Sequence, residues 1–566
     1  MALVGGACSG GEEQAGPTTS ATVDGATGDR DTTTTTRPGI DPERYVLDYE
    51  EGADEDSGAM APSLAAPADL SAGVDEGGGA EPRDLVPEPP IITPPTTEPG
   101  VLDDNTFEGS EPAPFIDTAA DPRSTFGLDV DTGSWNVGQT LLSEGYRPEP
   151  DSVRVEEYVN AQDYDYPEVT DGDLAVHVDH GPAPFAPDGT QLVRVGVSSR
   201  QVDAAARPDA NLTFVVDTSG SMDIRERLGL VRASLAVLAR DLRPTDSVGV
   251  VIYGSEAGVL LEPTPVGEGA TELLAAIDEL VPGGSTNMEA GLRTGYRLAR
   301  DAYVEGEVNT VVLASDGVAN VGDTGPGSLA EMIREEGRDG VNLVTVGFGM
   351  GNYNDELMEQ LADRGDGFYA YVDTFAEAER LFSTELTSTL VVVASDAKIQ
   401  VAWDPEVVSG YRLLGYENRA VADDAFRDDT VDAGEVGAGH TVTALYEVRP
   451  ADATVVATPD EGGAGVVAGT VALRYESTAS GEVVETSTPI ALGGAPRDGF
   501  GLAGATAAYA EVLRDHPVVA ERGVTLEAVA ALVDELVAAG EPGAEVLAET
   551  VDRALRATPP VAPVED

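Results

Sequence analysis

The sequence is poor in cysteine, lysine, histidine and aromatic side chains. Its 566 residues include one cysteine, four histidines and 5% aromatic residues, and the only lysine is Lys398. A single cysteine excludes an intrachain disulfide. With one lysine, phosphate-loop and Schiff-base chemistry are removed from consideration. No run of ~18 apolar residues occurs, so the sequence as given predicts no membrane-spanning helix.

Negative charge dominates the composition. Aspartate and glutamate number 102 against 33 lysine and arginine residues, which gives a net charge of −69. Such a chain repels nucleic acid and anionic membrane surfaces, so we expect neither as a partner. Cations and basic surfaces are the natural counterparts. A typical domain has about 100–200 residues, so a chain of this length is expected to form roughly three folded units.

The single cysteine, Cys8, follows a run of small residues and precedes a polar segment. The pattern resembles a lipobox, where bacterial lipoproteins are cleaved and acylated, although Gly5 replaces the usual Leu and no apolar signal segment precedes it. We expect residues 1–8 to be the remnant of a signal peptide that starts upstream. The protein is then expected in the cell envelope, lipid-anchored at Cys8 or secreted, and the anchor is its only expected contact with a membrane. A cytoplasmic protein with a stray cysteine is the alternative.

The segment 9–122 has the composition of an unfolded tether. It combines low hydrophobicity with a threonine run at 32–36, acidic patches and a proline-rich stretch at 89–95. Such a segment cannot bury enough apolar surface to offset the entropy of the chain. We therefore predict that about the first 120 residues are disordered.

Residues 208–390 alternate between short β-branched runs and helical patterns. The strand candidates are 212–216, 248–253, 310–314 and 343–346. Between the first two, apolar side chains recur at spacings of three and four, as on one face of a helix: Leu228, Val231, Leu235, Leu238 and Leu242. This alternation predicts an α/β domain with a mostly parallel sheet and helices on both faces.

Strand-like alternation occurs on both sides of this domain. It is found at 174–178 and 191–197 in a β-rich segment, 123–207, and at 398–403, 441–448 and 466–475 in a second, 391–497. Neither segment alone is large enough for a sandwich with covered edges. We predict that both build one β-rich domain into which the α/β domain is inserted. Residues 498–557 have helical patterns broken at Pro517 and near 540–543.

Oxygen-bearing side chains follow the predicted strands at one edge of the sheet. Asp217, Ser219 and Ser221 come directly after the strand 212–216, Thr286 precedes a helix, and Asp316 follows the strand 310–314. Loops at the carboxyl ends of parallel strands line the ligand crevice, so these side chains should meet there. Hydroxyls, carboxylates and water suit an octahedral hard cation, Mg²⁺ first and Mn²⁺ or Ca²⁺ next.

This set resembles the metal ion-dependent adhesion site of von Willebrand factor A domains, whose pattern is Asp-x-Ser-x-Ser with a distant Thr and Asp. The resemblance implies a Rossmann-like fold in which Ser219, Ser221 and Thr286 contact the metal. Asp217 and Asp316 would act directly or through water. A carboxylate from a protein partner then completes the coordination shell of the metal.

The similarity extends beyond the metal motif. Residues 105–557 resemble the bacterial lipoproteins called YfbK-like, in the segments 124–134, 153–167, 347–361, 385–391, 411–418 and 430–448. Asn287 and Met288 stand where that family carries smaller residues, which bears on ligand preference rather than on metal binding.

These observations predict a non-enzymatic, metal-dependent protein-binding or adhesion module of the bacterial cell envelope, which holds an exposed Asp or Glu carboxylate of a partner through Mg²⁺. An intracellular assembly factor that acts with an AAA+ ATPase is the first alternative, since a fold alone does not decide between them. A metal-dependent hydrolase is the second, and His177 and His180 are its evidence. Zinc sites need more imidazoles, and one strand points these two to opposite faces, so we interpret both as exposed strand histidines.

Overall fold

The computed structural model describes residues 39–47, 107, 109–128, 130–187, 189–223, 227–317, 326–337, 340–349, 355–385, 390–428, 431, 433–452, 466–493 and 495–559. All of them belong to one compact unit, which spans Thr36–Asp566. Cys8, and with it the expected signal-peptide remnant and lipid anchor, lies outside the described residues, as does most of the segment 9–122. None of the helices within the described ranges is long and apolar enough to cross a membrane.

All nine strands predicted from the sequence occur, together with others that it did not predict. The strands are β1 (Ile116–Asp117), β2 (Arg123–Gly127), β3 (Leu174–Pro182), β4 (Gln191–Ser199), β5 (Ala210–Asp217), β6 (Ser247–Tyr253), β7 (Ala257–Pro265), β8 (Val308–Ser315), β9 (Asn342–Phe348), β10 (Tyr369–Val372), β11 (Val392–Trp403), β12 (Val408–Leu414), β13 (Gly434–Gly437), β14 (Thr441–Pro450), β15 (Val466–Ser477) and β16 (Val483–Leu492). The helices are α1 (Gly133–Ser143), α2 (Val155–Asn160), α3 (Arg227–Asp241), α4 (Val266–Asp278), α5 (Met288–Asp301), α6 (Pro326–Glu336), α7 (Asp355–Arg364), α8 (Phe375–Glu379), α9 (Phe500–Leu513), α10 (Pro517–Glu521), α11 (Leu526–Ala539) and α12 (Ala544–Arg556).

A six-stranded sheet in the order β10-β9-β8-β5-β6-β7 forms the central domain. All of its neighbouring strands are parallel except the edge pair β6 and β7, which is antiparallel. Each of the four predicted strands lies within an observed one. The predicted mostly parallel α/β domain is therefore confirmed, with two further strands at its edges.

Helices cover both faces of this sheet because consecutive strand residues point to opposite sides. Phe214 belongs to the same apolar cluster as Leu228, Val231 and Leu235 of α3. Its neighbour Val215 belongs to a second cluster, which includes side chains of α5, α6 and α7. The predicted apolar face of α3 is confirmed, since its leucines and Val231 are all buried.

The segments on either side of the central domain share both sheets of a β-sandwich. One sheet has the order β1-β12-β14-β4-β3, and the other has the order β13-β11-β15-β16, with β2 also paired to β11. β4 comes before the central domain in the sequence and pairs with β14, which comes after it. In the other sheet, β2 comes before the domain and pairs with β11, which comes after it. Trp403, Tyr411 and Tyr446 join the two sheets, with ring centroids 5.4 to 6.2 Å apart. The predicted insertion into a domain built from both flanks is confirmed.

Three of the last four helices, α9, α11 and α12, pack with α1 and α2 around a separate apolar cluster. His516 caps α10 directly before Pro517, and Gly540 ends α11 with a φ of 77°. A φ in this left-handed region favours glycine, which has no Cβ to clash. The predicted helical segment and both of its breaks are confirmed.

Ordered chain begins earlier than the predicted boundary at residue 122. Tyr45, in a short helical turn, is 5% exposed and belongs to the core that contains α3. Ile116 pairs with Tyr411 at the edge of the sandwich, and the Thr118 hydroxyl donates to the Val408 carbonyl. The first of these short parts buries an apolar side chain, and the second forms hydrogen bonds with an open sheet edge. The average composition of the segment 9–122 does not reveal either part.

Candidate metal centre

Asp217, the last residue of β5, is completely buried and anchors the first loop of the site. Its Oδ1 accepts a hydrogen bond of 2.8 Å from the Ser219 backbone N–H. Its Oδ2 accepts from the Tyr253 hydroxyl at 3.1 Å and from the Ser315 hydroxyl at 2.9 Å. Tyr253 ends β6 and Ser315 ends β8, so Asp217 connects the ends of three neighbouring strands.

The hydroxyls of Ser219 and Ser221 lie 3.0 Å apart in the turn that follows. Neighbouring ligands of an octahedral Mg²⁺, each about 2.1 Å from the ion, are about 3.0 Å from each other. The separation of these two oxygens therefore fits adjacent positions in such a shell.

The loop that carries Thr286 lies against the Asp217 loop. The Gly220 N–H donates to the Gly284 carbonyl at 3.2 Å, and the Gly283 N–H donates to the Thr218 carbonyl at 2.6 Å. Thr286 itself is 1% exposed. The next residue, Asn287, caps α5 by accepting from the Ala290 N–H at 3.1 Å, which fixes where the loop ends and the helix begins.

Asp316 follows β8 directly and is completely buried. Its Oδ2 accepts a hydrogen bond of 2.8 Å from Nη1 of Arg227, a side chain that is also completely buried. The carboxyl group of Asp316 thus lies in the interior, close enough to Asp217 for the two to interact electrostatically.

Burial, and then the charge of Asp316, raise the pKa of Asp217 to about 7. Two carboxylates that are removed from water and close together disfavour each other's charge. A divalent cation bound at this site would relieve the repulsion. Burial and the charge of Asp217 also raise the pKa of Tyr253 well above its usual range, so its hydroxyl remains a hydrogen-bond donor.

The donor set fits a hard cation. It contains hydroxyl oxygens and two carboxylates, which Mg²⁺, Mn²⁺ and Ca²⁺ accept. Among the described residues, no group of three or more His, Cys, Asp and Glu side chains could hold a metal ion. A metal site at this edge of the central sheet would therefore depend on hydroxyl oxygens as well as on the two carboxylates.

The two strand histidines do not meet in one site. The His177 Nε2 lies 2.8 Å from the Ser198 hydroxyl, and its ring stacks on Tyr166 at 5.2 Å. His180 accepts from the Gly493 N–H through Nε2 at 2.5 Å and is 6% exposed. The interpretation of both as exposed is therefore wrong, because each packs against a neighbouring segment. Burial lowers the pKa of both rings.

Tyr253, Ser315 and Arg227 are not among the predicted site residues. Ser315 directly precedes Asp316, and Tyr253 is a polar aromatic residue at the end of a predicted strand, so position at the same sheet edge is a signal for both. The sequence gives little indication that Arg227 belongs to the site, because its position shows only that it directly precedes the apolar face of α3. Its contact with Asp316 depends on how α3 packs on the sheet.

Three family models match the chain. They are described as "von Willebrand factor type A domain" at residues 211–384, "Uncharacterized protein YfbK, C-terminal" at 388–546, and "von Willebrand factor" at 101–194. The first coincides with the central α/β domain. The second begins just before β11 and covers the second half of the sandwich and most of the terminal helices.

Several proteins of known sequence or structure are similar to parts of the chain. The uncharacterized protein YfbK of Escherichia coli (strain K12) is 39% identical over 343 residues, which is 59% of this chain and 59% of that protein. The human inter-alpha-trypsin inhibitor heavy chain H3 is 28% identical over 37% of this chain and 22% of its own length. The solved von Willebrand factor type A protein from Catenulispora acidiphila is 17% identical, with a TM-score of 0.41, over 67% of this chain and 89% of that one.

The matches thus span little more than half of the bacterial relative and a fifth of the human one. They agree with the architecture, since the α/β match falls on the inserted domain and the YfbK match falls on the region after it. The chain thus contains a von Willebrand factor type A domain, and the region after this domain is similar to the C-terminal part of YfbK.

Proposed function

We propose that the chain is a binding module rather than an enzyme, which binds a divalent cation and through it holds a carboxylate of a protein partner. Mg²⁺ is the first candidate cation, with Mn²⁺ and Ca²⁺ next. One observation carries the proposal: the hydroxyls of Ser219 and Ser221 lie 3.0 Å apart, beside the buried carboxylates of Asp217 and Asp316.

In this proposal the hydroxyl oxygens of Ser219, Ser221 and Thr286 hold the cation. Asp217 and Asp316 hold it directly or through water. Asp217 already accepts three hydrogen bonds, from the Ser219 backbone and from the last residues of β6 and β8, which favours an anchoring role for its carboxylate. When bound, the cation supplies a positive centre that attracts an anionic oxygen.

The partner group is an exposed Asp or Glu side chain on another protein. A carboxylate is a hard oxygen ligand and can fill a position that the protein leaves to water. The net charge of −69 adds a condition, since a wholly acidic partner would be repelled at a distance. We therefore propose a partner whose carboxylate is surrounded by neutral or basic residues.

The test measures metal and carboxylate binding separately. Mn²⁺ is titrated into the protein and detected by electron paramagnetic resonance. A capped peptide with a single Glu is then added, and the loss of metal-bound water is measured by proton relaxation. We expect one bound Mn²⁺ and a decrease in relaxation with the Glu peptide, and no decrease with the matching Gln peptide.

Two serine variants provide the comparison. Ser219→Ala removes a proposed ligand, whereas Ser234→Ala removes a buried hydroxyl of α3 that donates to the Leu230 carbonyl at 2.8 Å. We expect Ser219→Ala to lose Mn²⁺ binding and Ser234→Ala to keep it, with circular dichroism showing both folded. Equal Mn²⁺ binding by the two variants, or none by the wild type, would overturn the proposal.

A further inference from the structure

Arg227 brings a permanent positive charge into the candidate metal centre. Neither its side chain nor that of Asp316 is exposed at all, and its Nη1 lies 2.8 Å from the Asp316 Oδ2. The same nitrogen donates to the Ser221 carbonyl at 3.1 Å. Arg227 therefore bonds to two of the three loops that carry the proposed ligands. A guanidinium is always charged and is costly to bury unless it is paired in this way.

The end of a further strand makes room for this side chain. Gly349 follows β9 directly with a φ of 73°, and a Cβ at this position would lie 2.6 Å from the Arg227 Cγ and 2.9 Å from its Nε. Any other residue at 349 would both adopt an unfavourable backbone conformation and collide with the arginine. The position of Arg227 is thus fixed by the segments that follow β5, β8 and β9.

We propose that Arg227 sets the charge of the metal centre: it positions Asp316 and weakens the hold on the cation so that the bound cation takes a carboxylate from outside. This inference rests on the proposed function. Asp217 and Asp316 supply two negative charges when ionised, and Arg227 removes one of them. A divalent cation then leaves the site with one positive charge, which a single carboxylate neutralises.

Without Arg227 the same count gives a different ligand preference. Two carboxylates and a divalent cation are neutral together, and an added carboxylate would make the site negative. A neutral residue at 227 should therefore favour the cation and disfavour the anionic ligand. A side chain that only organises the loops would weaken both when it is removed, so the two roles predict different results.

The experiment compares Arg227→Gln with Arg227→Lys, using Mn²⁺ as the cation and acetate as the carboxylate. We expect Arg227→Gln to bind Mn²⁺ about tenfold more tightly and acetate about tenfold more weakly, as one unit of buried charge implies. Arg227→Lys keeps the charge and should bind Mn²⁺ nearly as the wild type does. Acetate binding is read from the displacement of water from the bound Mn²⁺.

Arg207→Gln is the matched control. Arg207 is also buried and pairs with a buried carboxylate, with 2.5 Å between its Nη2 and the Asp246 Oδ2. Asp246 accepts from the Ala210 N–H, at the start of β5 and away from the metal loops. We expect Arg207→Gln to lower stability and to leave the Mn²⁺ affinity unchanged.

If Arg227→Gln binds Mn²⁺ as tightly as the wild type or more weakly, the inference is overturned. The proposed function is left intact by this result as long as the wild type binds Mn²⁺. Absence of Mn²⁺ binding by the wild type removes both. If Arg227→Gln is partly unfolded in metal-free buffer, the Tm decides, measured for both proteins at a low and at a high Mn²⁺ concentration. The inference requires that Mn²⁺ raise the Tm of this variant more than that of the wild type, and an equal or smaller rise overturns it.

Discussion

Tyr253 shows how a single side chain connects the fold to the candidate site. Its ring is completely buried beside α5, and its hydroxyl donates to the Asp217 carboxylate at 3.1 Å. The same carboxylate accepts from Ser315, so two hydroxyls share the Oδ2 atom. Donors of this kind compensate for part of the solvation that a buried carboxylate loses.

Tyr253→Phe should destabilise the protein by about 1.5–3 kcal/mol, the range for a hydrogen bond to a charged group. The variant keeps the ring and leaves the Asp217 Oδ2 with one donor fewer. The free energy of unfolding is measured by urea denaturation at pH 8, above the raised pKa of Asp217 of about 7, so that the carboxylate is charged.

Tyr296→Phe is the control for this prediction. Tyr296 is buried in the same domain, and its hydroxyl meets no hydrogen-bond partner among the described residues. Removing that hydroxyl should change stability little or increase it. Equal losses for both variants would mean that the Tyr253 contact with Asp217 contributes nothing specific.

The proposed ligands could be predicted from the sequence because they occur in one short motif and directly before or after predicted strands and helices. Asp217 and Asp316 follow strands whose β-branched runs are easy to recognise, and Thr286 precedes a helix. Arg227 could not be assigned in the same way. Its role depends on the packing angle of α3 and on the missing side chain of Gly349, which are tertiary properties.

At the scale of secondary-structure elements, the strands of the central sheet that escaped prediction lie at its two edges. β7 contains Pro263 and ends at Pro265, and proline cannot donate to a neighbouring strand. It is nevertheless compatible with an edge strand, which has a neighbour on one side only. β10 is four residues long, too short to show a periodic pattern. Central strands were predictable because burial on both faces makes them continuously apolar.

A buried ionic network connects α9 and α10 to the sandwich. Arg412 of β12 pairs with Glu511 of α9 and with Glu447 of β14, whose Oε2 lies 3.1 Å from the Arg412 Nη2. His516 lies 3.2 Å from the same guanidinium and caps α10 by accepting from the Val518 N–H. Burial, and then the charges of Arg412 and Arg514, lower the pKa of His516 to about 3. The imidazole therefore stays neutral in the folded protein.

This network predicts a loss of stability in mild acid. The unfolded chain takes up a proton at His516 near pH 6.5, whereas the folded chain does so only near pH 3, so stability falls as the pH drops through this window. At pH 5 the loss from His516 is about 2 kcal/mol. His516→Asn keeps a capping side chain and removes the titration.

Urea denaturation of the wild type and of His516→Asn at pH 7.5 and pH 5 measures this contribution. The stability difference between the two pH values should be smaller in the variant by about 2 kcal/mol. The same pH dependence in both proteins would show that His516 is accessible to protons in the folded state.

At the scale of the whole molecule, part of the scarce positive charge lies in the interior. Arg194, Arg227 and Arg412 are among the largest completely buried side chains, and each is paired with a carboxylate. The charges of these three side chains are therefore withdrawn from the surface. Arginine suits this use because its planar guanidinium can bond to several acceptors at once.

The shared sheets predict that the sandwich survives a break in the chain. A protease site is placed in the exposed turn around 204–205, between β4 and β5, and is then cut. The fragment before the cut contains β2, β3 and β4, and its strands pair with β11 and β14 of the other fragment. We expect the two fragments to elute together on gel filtration and to separate in urea. Separate elution in native buffer would contradict the shared sheets.

The insertion would also divide a mechanical load between two connections. The von Willebrand factor type A domain connects to the sandwich before Ala210 and after the helical turn that ends at Thr384. Both connections leave the domain at the end opposite the metal loops, since β5 begins there and Arg240, at the far end of α3, pairs with Glu379 at 3.1 Å. A pull on a partner held at the metal would divide between two peptide segments, and would enter one sheet through β4 and the other through β11. The two sheets would then resist tension together, and neither could unravel first without shifting the force to the other.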